Sequence, residues 1–70
     1  MSIPKGSRVE WHVAGTWHRG KVIAVYTHDI REVRGGKRIL RIATDACPAY
    51  LIEMGDGFTL IKSHSELTRC

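Results

Sequence analysis

Residues 5–26 read KGSRVEWHVAGTWHRGKVIAVY, and this stretch decides the fold. From Ser7 to Val13 the chain alternates: Val9, Trp11 and Val13 fall on one face, Arg8, Glu10 and His12 on the other. A period of two is the mark of a half-buried strand. Ala14-Gly15, followed by Thr16, is a hairpin turn signal. Trp17 to Tyr26, rich in β-branched and aromatic residues, predicts the second strand. Gly20 interrupts it, and an interior strand glycine marks a bend, a bulge or a close backbone approach. A strand this long in a small domain needs such a feature to serve two layers.

Downstream, Thr27 to Gly36 is polar and charged and ends on Gly35-Gly36, which predicts a long loop. Lys37 to Ala43 predicts a third strand, and Thr44 to Pro48 a turn. Pro48 cannot donate to a ladder and so belongs at or before a strand start. Ala49 to Met54 predicts the fourth strand, Gly55-Asp56-Gly57 a hairpin turn, and Phe58 to Lys62 the fifth strand. Ser63 to Leu67 predicts one helical turn, capped by Ser63 with Glu66 three residues later. Five short strands at regular spacing predict an all-β domain over residues 1–70: a small five-stranded SH3-like barrel with a short C-terminal helical turn.

Seventy residues allow one domain of marginal size, which either packs economically or gains from self-association. No run of about 18 apolar residues exists, which argues against a membrane partner. The first residues, MSIPKGSRVEW, have no signal-like apolar segment, so the expected location is cytoplasmic. Cys47 and Cys70 do not make a disulfide framework. Eleven Lys and Arg against seven Asp and Glu leave a net charge of +4. The bases cluster: Arg31, Arg34, Lys37, Arg38 and Arg41 are opposed within that segment by Glu32 alone. Such a segment attracts polyanions, or else keeps strand edges soluble.

Two resemblances rest on these residues. Gly15-Thr16-Trp17-His18-Arg19-Gly20-Lys21-Val22 is similar to the Gly-x-Trp-Tyr-Arg-Ala-x-Val segment of Tudor domains, with His18 in place of Tyr and Gly20 in place of Ala. It is also similar to the Lys-Gly…Gly-Lys-Val pattern of KOW-type ribosomal and transcription-factor modules. Over nearly the whole chain the sequence resembles the bacterial hypervirulence-associated Tudor-like family. The matching points are Lys5-Gly6, Val9, Trp11, Gly20, Val22, Thr27, Gly36, Ala43-Thr44-Asp45, Pro48, Tyr50-Leu51-Ile52-Glu53, His64 and Leu67. Ala46 and Cys47 stand where that family usually has acids. The resemblance implies a five-stranded SH3-like (Tudor-like) barrel and no particular activity.

No constellation points to chemistry. A methyl-ligand cage needs three or four converging rings, and Trp17 and Tyr26 lie at opposite ends of one strand. His12 and His18 are expected near each other across the first hairpin, but two histidines do not complete a zinc site. Cys47 lacks a local base or oxyanion motif. The expectation is therefore a non-enzymatic binding module without metal or cofactor, taking a protein segment through an edge strand and loops. The expected contact residues are Trp17, which would stack, and Arg34, Lys37, Arg38 and Arg41, which would hold phosphate or carboxylate. One alternative is a KOW-like nucleic-acid module using Arg31–Arg41. The other is a homodimer, motivated by Ile23-Ala24-Val25 and Ile39-Leu40, whose adjacent apolar residues cannot all face one core.

Overall fold

The computed structural model describes residues 3–34 and 36–69, without the Arg34 side chain. Gly35, read above at the end of the long loop, and Cys70, read above as forming no disulfide framework with Cys47, lie outside the described residues. Seven strands form: β1 (Arg8–Val13), β2 (Thr16–Tyr26), β3 (Ile30–Arg34), β4 (Lys37–Arg41), β5 (Ala49–Glu53), β6 (Thr59–Ser63) and β7 (Thr68–Arg69). A 3₁₀ turn, His64–Glu66, stands between β6 and β7, where the helical turn was expected. The sheet of five strands runs β6-β5-β2-β1-β7, and β3-β4 pair as a separate sheet of two. The small all-β Tudor-like fold is thus present as two sheets that do not close into one barrel, with β6 and β7 at the open edges of the larger.

Two expectations need correction. The segment expected as a loop, Thr27–Gly36, contains β3. The expected third strand pairs with β3, Ile30 opposite Arg41, and is not part of the five-stranded sheet. Charge hid the strand: Arg31 and Glu32 interrupt its apolar residues, yet Ile30 and Val33 are good strand formers. The fifth strand of the main sheet is instead the short β7, too brief to show any periodicity; Val9 pairs with Arg69 and Glu10 with Thr68.

The core has two compartments. Val9, Trp11, Val22, Tyr50 and Ile52 are buried together with Ile3 on one side of the sheet. Ile30, Ala43, Ala49 and Ile61 are buried on the other side, beneath the β3–β4 hairpin. β5 therefore has apolar residues on both faces: Tyr50 and Ile52 enter the first compartment, Ala49 and Leu51 the second. Each large apolar side chain so buried contributes about 1.5–3 kcal/mol.

This arrangement accounts for the adjacent apolar residues of β2. The β2–β5 register shifts between Val22 and Ala24, so Ile23 is the extra residue of a bulge. Past the bulge the alternation is offset by one. Val22 and Val25 can then both pack in the first compartment, while Tyr26 packs in the second. On β4, Ile39 packs inward beneath the hairpin, and Leu40 is exposed.

The β1–β2 turn has a two-residue loop, since Val13 pairs with Thr16. Its residues have positive φ, 48° at Ala14 and 82° at Gly15. That is the geometry of a type I′ turn, which favours Asn-Gly because Asn tolerates the left-handed region better than Ala. Ala14→Asn is expected to add about 0.5–1 kcal/mol, which raises the melting temperature by roughly 2–8 °C in a domain of this size. Thermal unfolding monitored by circular dichroism tests this.

Candidate binding groove

The β3–β4 register sorts the basic segment onto two faces. Ile30, Ile39 and Arg41 share the face toward the core, while Arg31, Val33, Arg38 and Leu40 share the outer one. β4 borders a groove of about 1060 Å³ whose opposite wall is β6. From β4 come Lys37, Arg38, Ile39 and Arg41; from β6 come Thr59, Leu60, Ile61 and Lys62. Successive residues of a strand point to opposite faces. A groove lined from both faces of two strands, by Lys37–Ile39 and by Thr59–Lys62, therefore runs along their edges, with Val33 of β3 also lining it.

Phe58 stands at one end of this groove, 71% exposed, at the close of the Met54–Phe58 turn. The Met54 N–H donates to the Phe58 carbonyl at 2.8 Å, and the Phe58 N–H donates to Asp56 Oδ1 at 3.0 Å. Gly57, with φ at 89°, supplies the left-handed residue the turn requires. The backbone is thus held while the ring projects into solvent. Lys37, Arg38, Arg41 and Lys62 line the groove, and no acidic side chain does so among the described residues.

Arg41 and Lys62 are tied to the 3₁₀ turn through Glu66. Glu66 Oε1 accepts from Arg41 Nη1 at 2.8 Å and from the Ser63 N–H at 3.0 Å. Lys62 Nζ lies 3.6 Å from the other carboxylate oxygen. Partial burial pushes the Glu66 carboxyl up, but the Ser63 N–H and the Arg41 and Lys62 charges outweigh it, so it titrates below the ordinary glutamate range. A carboxyl depressed in this way adds stability that is present above its unfolded pKa and lost as pH falls through the folded one. Acidification below about pH 4.3 is expected to weaken the protein. Glu66→Gln should be less stable at neutral pH and should flatten that acid limb, as read by urea unfolding at a series of pH values. Because the carboxylate is partly exposed, the effect is modest.

The expected contact residues divide in space. Lys37, Arg38 and Arg41 come together in the groove. Arg34 lies on β3 opposite Lys37, with its side chain outside the described residues. Trp17 is 58% exposed but sits at the hairpin end of β2, where its ring neighbour is His12 at 5.1 Å. His12 pairs with Trp17 and His18 with Trp11, so the two histidines point to opposite faces of the hairpin, contrary to expectation. Trp11 and Tyr50 are buried in the core and unavailable to a cage.

Phe58 and Lys62 escaped the sequence reading. The available signal was an aromatic residue directly after Asp56-Gly57, in a turn rather than in an alternating run. A second depression, of about 640 Å³, is lined by charges of both signs, among them Arg8, Lys21 and Glu53. Glu10 and Arg19 there lie 3.4 Å apart. It has no single charge preference to offer a ligand.

No curated protein and no solved structure matches the chain. The family described as hypervirulence associated proteins TUDOR domain matches residues 6–67. The paired β1 and β2, the close-packed Gly20 and the buried Trp11 and Tyr50 all fall within that match. The chain belongs to the hypervirulence-associated TUDOR-domain family.

Proposed function

We propose that this chain is a non-enzymatic module that captures a protein segment in the groove between β4 and β6. The observation that carries the reading is the groove's position along two strand edges, with the exposed Phe58 ring at its end. Edge strands offer backbone donors and acceptors to an extended chain, and a neighbouring ring supplies an apolar anchor. A catalytic site would bring an acid and a base together in a pocket; among the described residues, the charged side chains that line this groove are cations.

Selection from a random dodecapeptide display library, followed by amide chemical-shift mapping, tests the reading. Shifts are expected at residues 37–41 and 58–62. Phe58→Ala should weaken the selected peptides about tenfold, the loss typical of an aromatic anchor. Its melting temperature should stay near wild type, because an exposed side chain changes stability by only about 0.5 kcal/mol. A selection that yields no peptide, or peptides that shift only the Trp17 face, overturns the proposal.

A further inference from the structure

We infer that the captured segment is acidic and extended, and that it binds as an inserted strand bridging β4 and β6. The inference rests on the protein-segment reading above and specifies its ligand. Three observations lead to it. First, among the described residues β4 pairs with β3 alone and β6 with β5 alone, so each turns one edge away from its ladder partner, and both edges border the same groove. Second, the cations lining that groove are Lys37, Arg38, Arg41 and Lys62, and no acid lines it among the described residues. Arg41 and Lys62 already share Glu66, so Lys37 and Arg38 carry most of the attraction for a ligand's carboxylates.

Third, the groove's volume is enough for one strand. Five residues of β-strand, about 17 Å long, one strand spacing of about 4.8 Å and one sheet thickness of about 10 Å, occupy roughly 800 Å³. The groove offers about 1060 Å³. Insertion would join the two sheets into one, with the ligand's acidic side chains reaching the basic walls.

The same cations would attract a single-stranded nucleic acid, but the rest of the groove suits it less. Such binding stacks successive bases on successive rings, and Phe58 is the one aromatic ring lining the groove among the described residues. A nucleic acid also has no backbone amides to match strand edges. If instead the cations only keep two edges from aggregating, no acid preference will emerge.

The decisive experiment takes dodecapeptides that shift the groove residues and scans them by backbone N-methylation. A strand with a neighbour on each side uses every interior amide, whereas a strand on one edge uses alternate ones. Each interior methylation is expected to weaken binding about tenfold, as is each Asp→Asn or Glu→Gln change facing Lys37 or Arg38. Sensitivity at alternate amides only, or selected peptides without acids, would overturn the inference while leaving the protein-segment reading intact. Absence of any groove-binding peptide defeats both. A dT12 oligonucleotide that occupies the groove more tightly than the best peptide replaces the inference with a nucleic-acid site.

Discussion

Gly20→Ala is expected to remove about 3 kcal/mol of stability, the upper end of the usual cost of overpacking a core. A Cβ at this position would lie 2.3 Å from Ile52 Cγ2, 3.0 Å from the Glu53 carbonyl oxygen and 3.3 Å from the Trp11 ring. Ile52 and Trp11 are themselves core residues, so neither can swing into solvent. A domain of this size has about 4–10 kcal/mol in total, and the variant should unfold at markedly lower urea. The closest clash is with one methyl group, which suggests its own control. Ile52→Leu removes that β-branch, so the double variant should lose less than the sum of the single ones, by about 0.5–2 kcal/mol. Strict additivity would show that the Ile52 methyl is not what demands glycine.

Tyr50→Phe is expected to cost about 2–4 kcal/mol although it deletes a single oxygen. Tyr50 is fully buried, and its hydroxyl accepts from the Ile3 N–H at 2.9 Å and meets His64 Nδ1 at 2.7 Å. Because the oxygen already accepts the amide, its own proton needs an acceptor. His64 Nδ1 is the partner within reach, and when it accepts that proton the ring's own proton sits on Nε2. Phenylalanine leaves the buried Ile3 amide without a partner and frees the imidazole. Hydrogen exchange at Ile3 should accelerate before that of β5, and the ¹⁵N shifts of His64 should lose the single-tautomer pattern. A variant as stable as the parent would show that this bond contributes little.

Much of the fold was legible because alternation and turn chemistry agree along residues 7–26. Trp11 was placed in the core by its parity with Val9, and both are buried. Gly20 was read as a bend, a bulge or a close approach. The structure makes it a close approach to Ile52 and puts the bulge at Ile23, where no glycine marks it. A bulge at a β-branched residue leaves no compositional trace, only a run of apolar residues that looks like excess surface. β3 was missed because burial of Ile30 beneath its own hairpin is a tertiary fact. The groove was half legible. Clustered cations announced Lys37, Arg38 and Arg41, but Phe58 and Lys62 reach them through the packing of β6 against a hairpin distant in sequence.

The pairing of β1 with Thr68–Arg69 bears on how the chain is made. On the ribosome β1 and β2 emerge first and can close their hairpin early. The outer edge of β1 must then wait for the 41 residues from Thr27 to Leu67 before β7 arrives to cover it. During that interval the edge is an open template for any neighbouring nascent chain. Arg8, Glu10 and His12, which alternate along that edge, keep the template charged and polar for the length of the wait.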